Sequence, residues 1–277
     1  MTHSRSFATR IKNLLDENRR CLFPSIFFAL FLTIPAVVGL TQNTAQPTGV
    51  LRLKVRVKTD DAGPLKGLAR KRFFLIRGSR EQNKELIQAV EQSPIISRDC
   101  YYSKLGASEA LIGWLKAGDC ESLYCREVAR EFVAGPKAVP EFATAFAAGQ
   151  KEFGNDDTAL KWLSTNVPEN LREGFYQSRQ AILESILKQA QTLSGAQVKS
   201  VMTDSNGTAY FTELEPGTYV LTSIVPTELG PNAATWNCEV QVKPGDLATE
   251  KPYLVSNRKD KLVKCVAVER PLPACEK

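Results

Sequence analysis

Hydrophobic and polar positions alternate without a break over residues 50–58, VLRLKVRVK. Leu51, Leu53, Val55 and Val57 share one face, and Arg52, Lys54, Arg56 and Lys58 share the other. Period-two alternation predicts a half-buried strand, and the row of four cations reads as the guarded outer face of an edge strand. A turn over Asp60–Pro64 and a second strand over Leu68–Ile76 follow, ending near Gly78. Between 79 and 195 the spacing becomes helical. Ser79 and Gln82 form a capping box ahead of Leu86, Ile87 and Val90. Leu111, Trp114 and Leu115 line a helix over 107–116 that Gly118 closes, and Asp119 caps another carrying Tyr124, Val128 and Phe132. Shorter helices are expected over 140–153 and 157–163. The longest runs over 168–193, with Leu171, Phe175, Ile182, Ile186, Ala190 and Leu193 near helical period and Gly195 at its end.

Alternation returns at 196–202 and enters TDSNGTAYFTELEPGTYVLT (203–222). Asn206-Gly207 and Pro216-Gly217 carry the backbone freedom of tight turns, and strands are predicted at 208–211 and 218–225, with Phe211, Leu214, Tyr219 and Leu221 inward. Trp236, Cys238, Val240 and Val242 alternate inward against Asn237, Glu239, Gln241 and Lys243. Pro244-Gly245-Asp246 turns the chain, and 251–255 and 262–268 supply closing strands before a short tail, 271–277, tied by Cys275.

The stretch 203–222 resembles the repeat T-D-x-x-G-x-a-x-F-x-x-L-x-P-G-x-Y-x-L of the carboxypeptidase regulatory-like (prealbumin-like, transthyretin-like) β-sandwich. Gly63-Pro64-Leu65 is similar to the turn that opens such domains. The resemblance implies an α+β chain: a seven- to eight-stranded antiparallel β-sandwich assembled from 46–78 and 196–270 and interrupted by an all-helical insertion at 79–195. It also implies an accessory, folding or binding role, and it carries over no functional residue.

Composition changes the picture mainly at the amino terminus. Arg5, Arg10, Lys12, Arg19 and Arg20 against Asp16 and Glu17 hold half of the net charge of +6, and residues 21–40 contain no charge. A basic flank ahead of an apolar core is the order of an export signal. Residues 1–45 are therefore read as a signal or a single inner-membrane anchor, with Arg19-Arg20 as its positive flank and everything after it periplasmic or extracellular. The remaining charge is too small to argue for nucleic acid. The expected partner is an envelope protein or polysaccharide, with membrane contact through residues 21–40 if the signal is not cleaved.

The only histidine is His3. Beyond it no Ser-His or Cys-His couple and no histidine-bearing zinc site can form, so no catalytic residue, cofactor or metal ligand is assigned. Cys100, Cys120, Cys125, Cys238, Cys265 and Cys275 are an even set suited to disulfides in an oxidising compartment. A shared helix would hold Cys120 and Cys125 at or beyond the disulfide limit of about 7 Å, which favours Cys100 with one of them. Three cysteines fall in the helical region and three in the strand region, so full pairing requires a bridge between the two. Weaker patterns are Ser185-Ile-Leu-Lys188, read as a chance match to a serine–lysine nucleophile motif, and Asp204, Asn206 and Asp60 or Asp61, read as turn formers rather than calcium ligands. Glu213 and Glu215 are read as solvated neighbours of Leu214. Trp114, Trp162 and Trp236 are expected in cores rather than on a binding surface. The competing functional reading is a hydrolase-type enzyme with a histidine-free active site in the helical insertion.

Overall fold

A computed structural model describes residues 47–60, 63–194, 198–246 and 251–275. The predicted signal or anchor at 1–45 lies outside these residues, and no described helix is long and apolar enough to cross a membrane. The chain is α+β, with seven α-helices and twelve strands among the described residues. In chain order the first elements are β1 (Gly49–Val57), β2 (Lys66–Gly67), β3 (Arg72–Arg77), α1 (Lys84–Gln92), α2 (Arg98–Lys104) and α3 (Glu109–Ala117). Then come α4 (Pro140–Phe153), α5 (Asp156–Lys161), α6 (Glu169–Arg172) and α7 (Gly174–Ser194). The chain closes with β4 (Val198–Met202), β5 (Thr208–Leu214), β6 (Gly217–Thr222), β7 (Thr227–Leu229), β8 (Asn232–Thr235), β9 (Asn237–Val242), β10 (Tyr253–Ser256), β11 (Cys265–Val266) and β12 (Val268–Pro271).

One sheet runs β11-β10-β1-β2 with β5 also paired to β1; a second runs β4-β3-β6-β9; a third, small one runs β12-β8-β7. Most pairs are antiparallel, but β1–β10 and β10–β11 are parallel, which corrects the all-antiparallel expectation. Leu53 and Val55 from β1, Phe73 and Leu75 from β3, Phe211 from β5, Leu221 from β6 and Trp236 enter one apolar core, so the two larger sheets share their buried faces. The opposite face of β3, through Phe74 and Ile76, packs on Leu86 and Val90 of α1 and Leu183 and Ile186 of α7. The other helices bury a core of their own around Tyr102, Leu111, Trp114, Leu115 and Phe142.

Register fixes how the helices enter. Strands β3 and β4 pair antiparallel from Arg72↔Met202 to Ile76↔Val198. Everything between is thus the connection of one hairpin, grown to contain all seven helices. Gly207 shows why the turn before β5 is sequence-specific. Its φ is +74°, and a β-carbon there would strike the Val55 carbonyl and the Leu68 amide.

Several expectations are corrected. β1 is an interior strand, with β10 on one side and β5 and β2 on the other. Its cations lie against same-face neighbours: Lys54 Nζ donates to Thr208 Oγ1 at 3.1 Å, and Arg52 stacks over the Tyr210 ring at 5.9 Å. The strand expected at 68–76 is broken at Arg70, which has a φ of +54°. β7 and β8 were not anticipated, because their buried Ala233 and Ala234 give no strong hydrophobic alternation. The helix expected after Asp119 is two short 3₁₀ turns, Leu123–Cys125 and Arg130–Phe132. The long helix breaks between Arg172 and Gly174 into α6 and α7. Ser79 and Gln82 exchange the two hydrogen bonds of a capping box, Gln82 N to Ser79 Oγ and Ser79 N to Gln82 Oε1, but in the turn ahead of α1, whose own N-cap is Asn83.

Cys120 and Cys125 are joined, with Cα atoms 5.6 Å apart. This overturns the expectation that Cys100 takes one of them. The spacing argument required a shared α-helix, and the segment is instead a turn opening at Asp119, φ +50°, followed by a 3₁₀ turn. Cys100 instead pairs with Cys275, linking α2 to the carboxy-terminal tail, and Cys238 pairs with Cys265, linking β9 to β11 across the two sheets. Three disulfides are the mark of an oxidising compartment, as for an exported chain.

Candidate functional site

The helices meet the sheets through a charged seam. Lys71, next to β3, places Nζ 3.2 Å from both Asp119 Oδ2 and Glu121 Oε1. Arg98, at the start of α2, lies 3.7 Å from Asp119 Oδ1 and 3.5 Å from Glu228 Oε2, and its amide donates to Glu228 Oε1 at 2.6 Å. Arg179, from the second turn of α7, sits 3.3 Å from Glu121 Oε2 and donates to the Pro226 carbonyl at 2.8 Å. The three cationic side chains are only 9–11% exposed. Burying charges at that level requires compensation, and three carboxylates supply it. Burial opposes ionisation of Glu121, but Arg179, Lys71 and Arg98 together hold its carboxyl below the usual carboxylate range. Arg70 spans the seam at one edge: its guanidinium donates to the carbonyls of Cys125 (3.3 Å) and Gly118 (3.4 Å). A left-handed backbone at an arginine costs about 1–2 kcal/mol, which these contacts help to offset.

Glu121 is not poised as a general acid near neutral pH. A general acid working near neutral pH needs a carboxyl raised toward about 6–7, and Glu121 is displaced the other way. Tyr102 is fully buried beside Tyr101 and Phe175. Its hydroxyl has no hydrogen-bond partner among the described residues, and burial pushes it well above the ordinary phenol range.

A more open feature lies on the helical side. A groove of about 500 Å³ runs between the 3₁₀ turn at Leu123–Cys125 and α5. Leu123, Val128 and Leu160 line it with apolar surface, and Tyr124, Arg126, Glu127, Asp157, Lys161 and Ser164 supply polar groups. Tyr124 is 55% exposed, with the Arg172 guanidinium 5.9 Å from its ring centre. Arg126 stacks over Trp114 at 4.2 Å and donates to the Trp114 carbonyl, which fixes one wall. An exposed aromatic beside fixed hydrogen-bonding groups over an apolar floor is suited to recognition.

The residues singled out from sequence fall as follows. All six candidate cysteines are in disulfides. Trp114 and Trp236 are buried, but Trp162, directly after Lys161 of the groove, is 50% exposed, which corrects its assignment to a core. Asp204 Oδ1 accepts from the amides of Asn206 and Thr208, both at 2.8 Å, and the Thr208 contact leads in lowering its carboxyl. Asp60 likewise accepts from the Gly63 amide, and Asp61 lies outside the described residues. No group of three or more metal-ligating side chains occurs among the described residues. Ser185 and Lys188 are on the exposed face of α7, and Glu213 and Glu215 are exposed, with Glu215 paired to Arg77.

Lys71, Arg98, Arg179 and Glu228 were not found from sequence. One signal was available for Arg179, which interrupts the apolar stripe between Phe175 and Leu183 on α7, where a hydrophobic residue was due. Arg98 and Glu228 lie 130 residues apart with no local pattern to join them. No family model, curated protein or solved structure matches the chain.

Proposed function

We propose that this is a non-catalytic exported protein of the cell envelope, in which a prealbumin-like β-sandwich displays a helical insertion that binds an envelope protein or polysaccharide. Residues 1–45 direct it to the periplasm or cell exterior, either as a removed signal or as a tether through residues 21–40. The observation that carries the reading is the in-register β3–β4 hairpin, Ile76 opposite Val198, whose connection holds all seven helices. Strand pairing holds both ends of the insertion together, and its own core and the charged seam fix its orientation. The insertion then presents the Tyr124 groove as a preformed surface. The hydrolase reading is less well supported, because the carboxylates that converge between helices and sheets are each neutralised by Lys71, Arg98 or Arg179.

The test is co-sedimentation of the disulfide-intact protein with purified envelope polysaccharide and, separately, affinity capture from a protein-only envelope extract. Tyr124→Ala is expected to reduce binding in one arm by about tenfold, the scale of a lost aromatic contact. Tyr210→Ala, which removes an exposed tyrosine on β5, is expected to leave both arms unchanged. Equal retention by wild type and Tyr124→Ala in both arms would overturn the assignment.

A further inference from the structure

A second cleft, of about 100 Å³, borders the charged seam between α7 and the end of the β3–β4 hairpin. Four cations line it, Arg70, Lys71, Arg72 and Arg179, against one carboxylate, Glu121. Three of these cations are already engaged. Lys71 and Arg179 share Glu121, and Arg70 is held by two backbone carbonyls. Arg72 differs: it is exposed, on the same face of β3 as Phe74, and forms no ion pair among the described residues. The rest of the wall is apolar or neutral. Phe74, Leu183 and Val225 form a floor, and Tyr176 and Met202 stand 41% and 53% exposed at the mouth.

We infer that this cleft binds an oxyanion, a carboxylate or phosphate, carried on a short apolar stem. Charge complementarity is the basis. A concave site with a clear excess of positive charge and a low-dielectric wall concentrates anions. Glu121 is spent on Lys71 and Arg179, so an incoming anion meets Arg72 and the exposed edge of Arg70 without displacing an internal pair. The volume of the cleft suits a single charged group of a few heavy atoms rather than a whole sugar or peptide. The exposed faces of Met202 and Tyr176 provide the surface along which an attached apolar stem would leave. An arginine is well suited to this task, because its planar donors match both carboxylate and phosphate geometry. This site is separate from the Tyr124 groove and does not depend on what that groove binds.

The test is calorimetric titration of the disulfide-intact protein with hexyl phosphate, hexanoate, inorganic phosphate and hexan-1-ol at low ionic strength. Saturable one-to-one binding is expected for hexyl phosphate or hexanoate, and the stronger of the two identifies the preferred head group. Hexan-1-ol is expected to bind at least about tenfold more weakly, as the loss of one charge-assisted contact implies. Inorganic phosphate is expected to bind more weakly than hexyl phosphate. Arg72→Glu should weaken the bound anion by about tenfold or more while leaving the thermal midpoint near that of wild type, because Arg72 supports no internal pair. Tyr124→Ala should leave the anion isotherm unchanged. Equal binding of hexan-1-ol, an Arg72→Glu isotherm matching wild type, or no saturable binding of either organic anion would each overturn the proposal. Inorganic phosphate binding as tightly as hexyl phosphate would remove the apolar stem from it.

Discussion

Trp236→Ala is expected to destabilise the protein by about 4 kcal/mol, within the range of about 3–5 for truncating a buried tryptophan. Trp236 is fully buried where the two larger sheets share their core, with its ring centre 5.6 Å from that of Phe73. Its indole Nε1 donates to the Ser256 carbonyl at 2.9 Å, and Ser256 is itself buried. Truncation therefore opens a cavity and also removes one of the two donors to that carbonyl, leaving the Ala267 amide at 2.9 Å as the other. Trp236→Phe separates the two effects: it fills most of the volume but still loses the indole donor, and should cost about 0.5–1.5 kcal/mol. Urea unfolding at constant slope would measure both. A loss below about 1 kcal/mol for Trp236→Ala would mean that the sheets do not close over this residue.

Glu121→Ala is the second large effect, about 2–3 kcal/mol, because it leaves Lys71 and Arg179 short of compensation in a seam where both are nearly buried. The effect should depend on pH. The folded-state carboxyl is lowered, so its stabilisation is fully present above the unfolded value of about 4.3. It is lost as pH falls through the lower folded value. The stability gap between wild type and Glu121→Gln should accordingly be constant near neutrality and close on the acid side. Glu121→Ala and Arg179→Ala should also be strongly non-additive, since each removes the other's partner. A gap that widens toward acid would contradict the seam as described.

The same two residues show how far the sequence could be read. Trp236 was legible because it opens a run of alternating inward positions, and alternation is a local property that survives into the sheet. Phe211, Leu214, Tyr219 and Leu221 were legible for the same reason, and all four are buried. The helix before Pro94 was read from Leu86, Ile87 and Val90, and the one over 107–116 from Leu111, Trp114 and Leu115; both form, as α1 and α3, and the one expected over 140–153 forms as α4. Glu121 was not legible. Its meaning depends on a lysine 50 residues earlier and an arginine on α7, and no periodicity carries such a contact. The Cys120–Cys125 link failed for a related reason. Tyr124, Val128 and Phe132 recur at helical spacing, but the disulfide and Asp119 fold that segment into 3₁₀ turns, so tertiary constraint overrode the local pattern. The Tyr124 groove follows from that change, since a continuous helix there would have placed Tyr124 and Val128 differently.

The most direct test of the architecture and the compartment together is a disulfide map of the protein taken from the envelope of its own host. Free thiols are alkylated before lysis, and the protein is digested without reduction. Cys100–Cys275, Cys120–Cys125 and Cys238–Cys265 are the expected pairs, with none of these six cysteines alkylated. The Cys100–Cys275 bridge carries the most weight, because it exists only if the helical insertion folds back onto the carboxy-terminal tail. Alkylation of all six would contradict export to an oxidising compartment, and a Cys100–Cys120 or Cys100–Cys125 pair would contradict the fold.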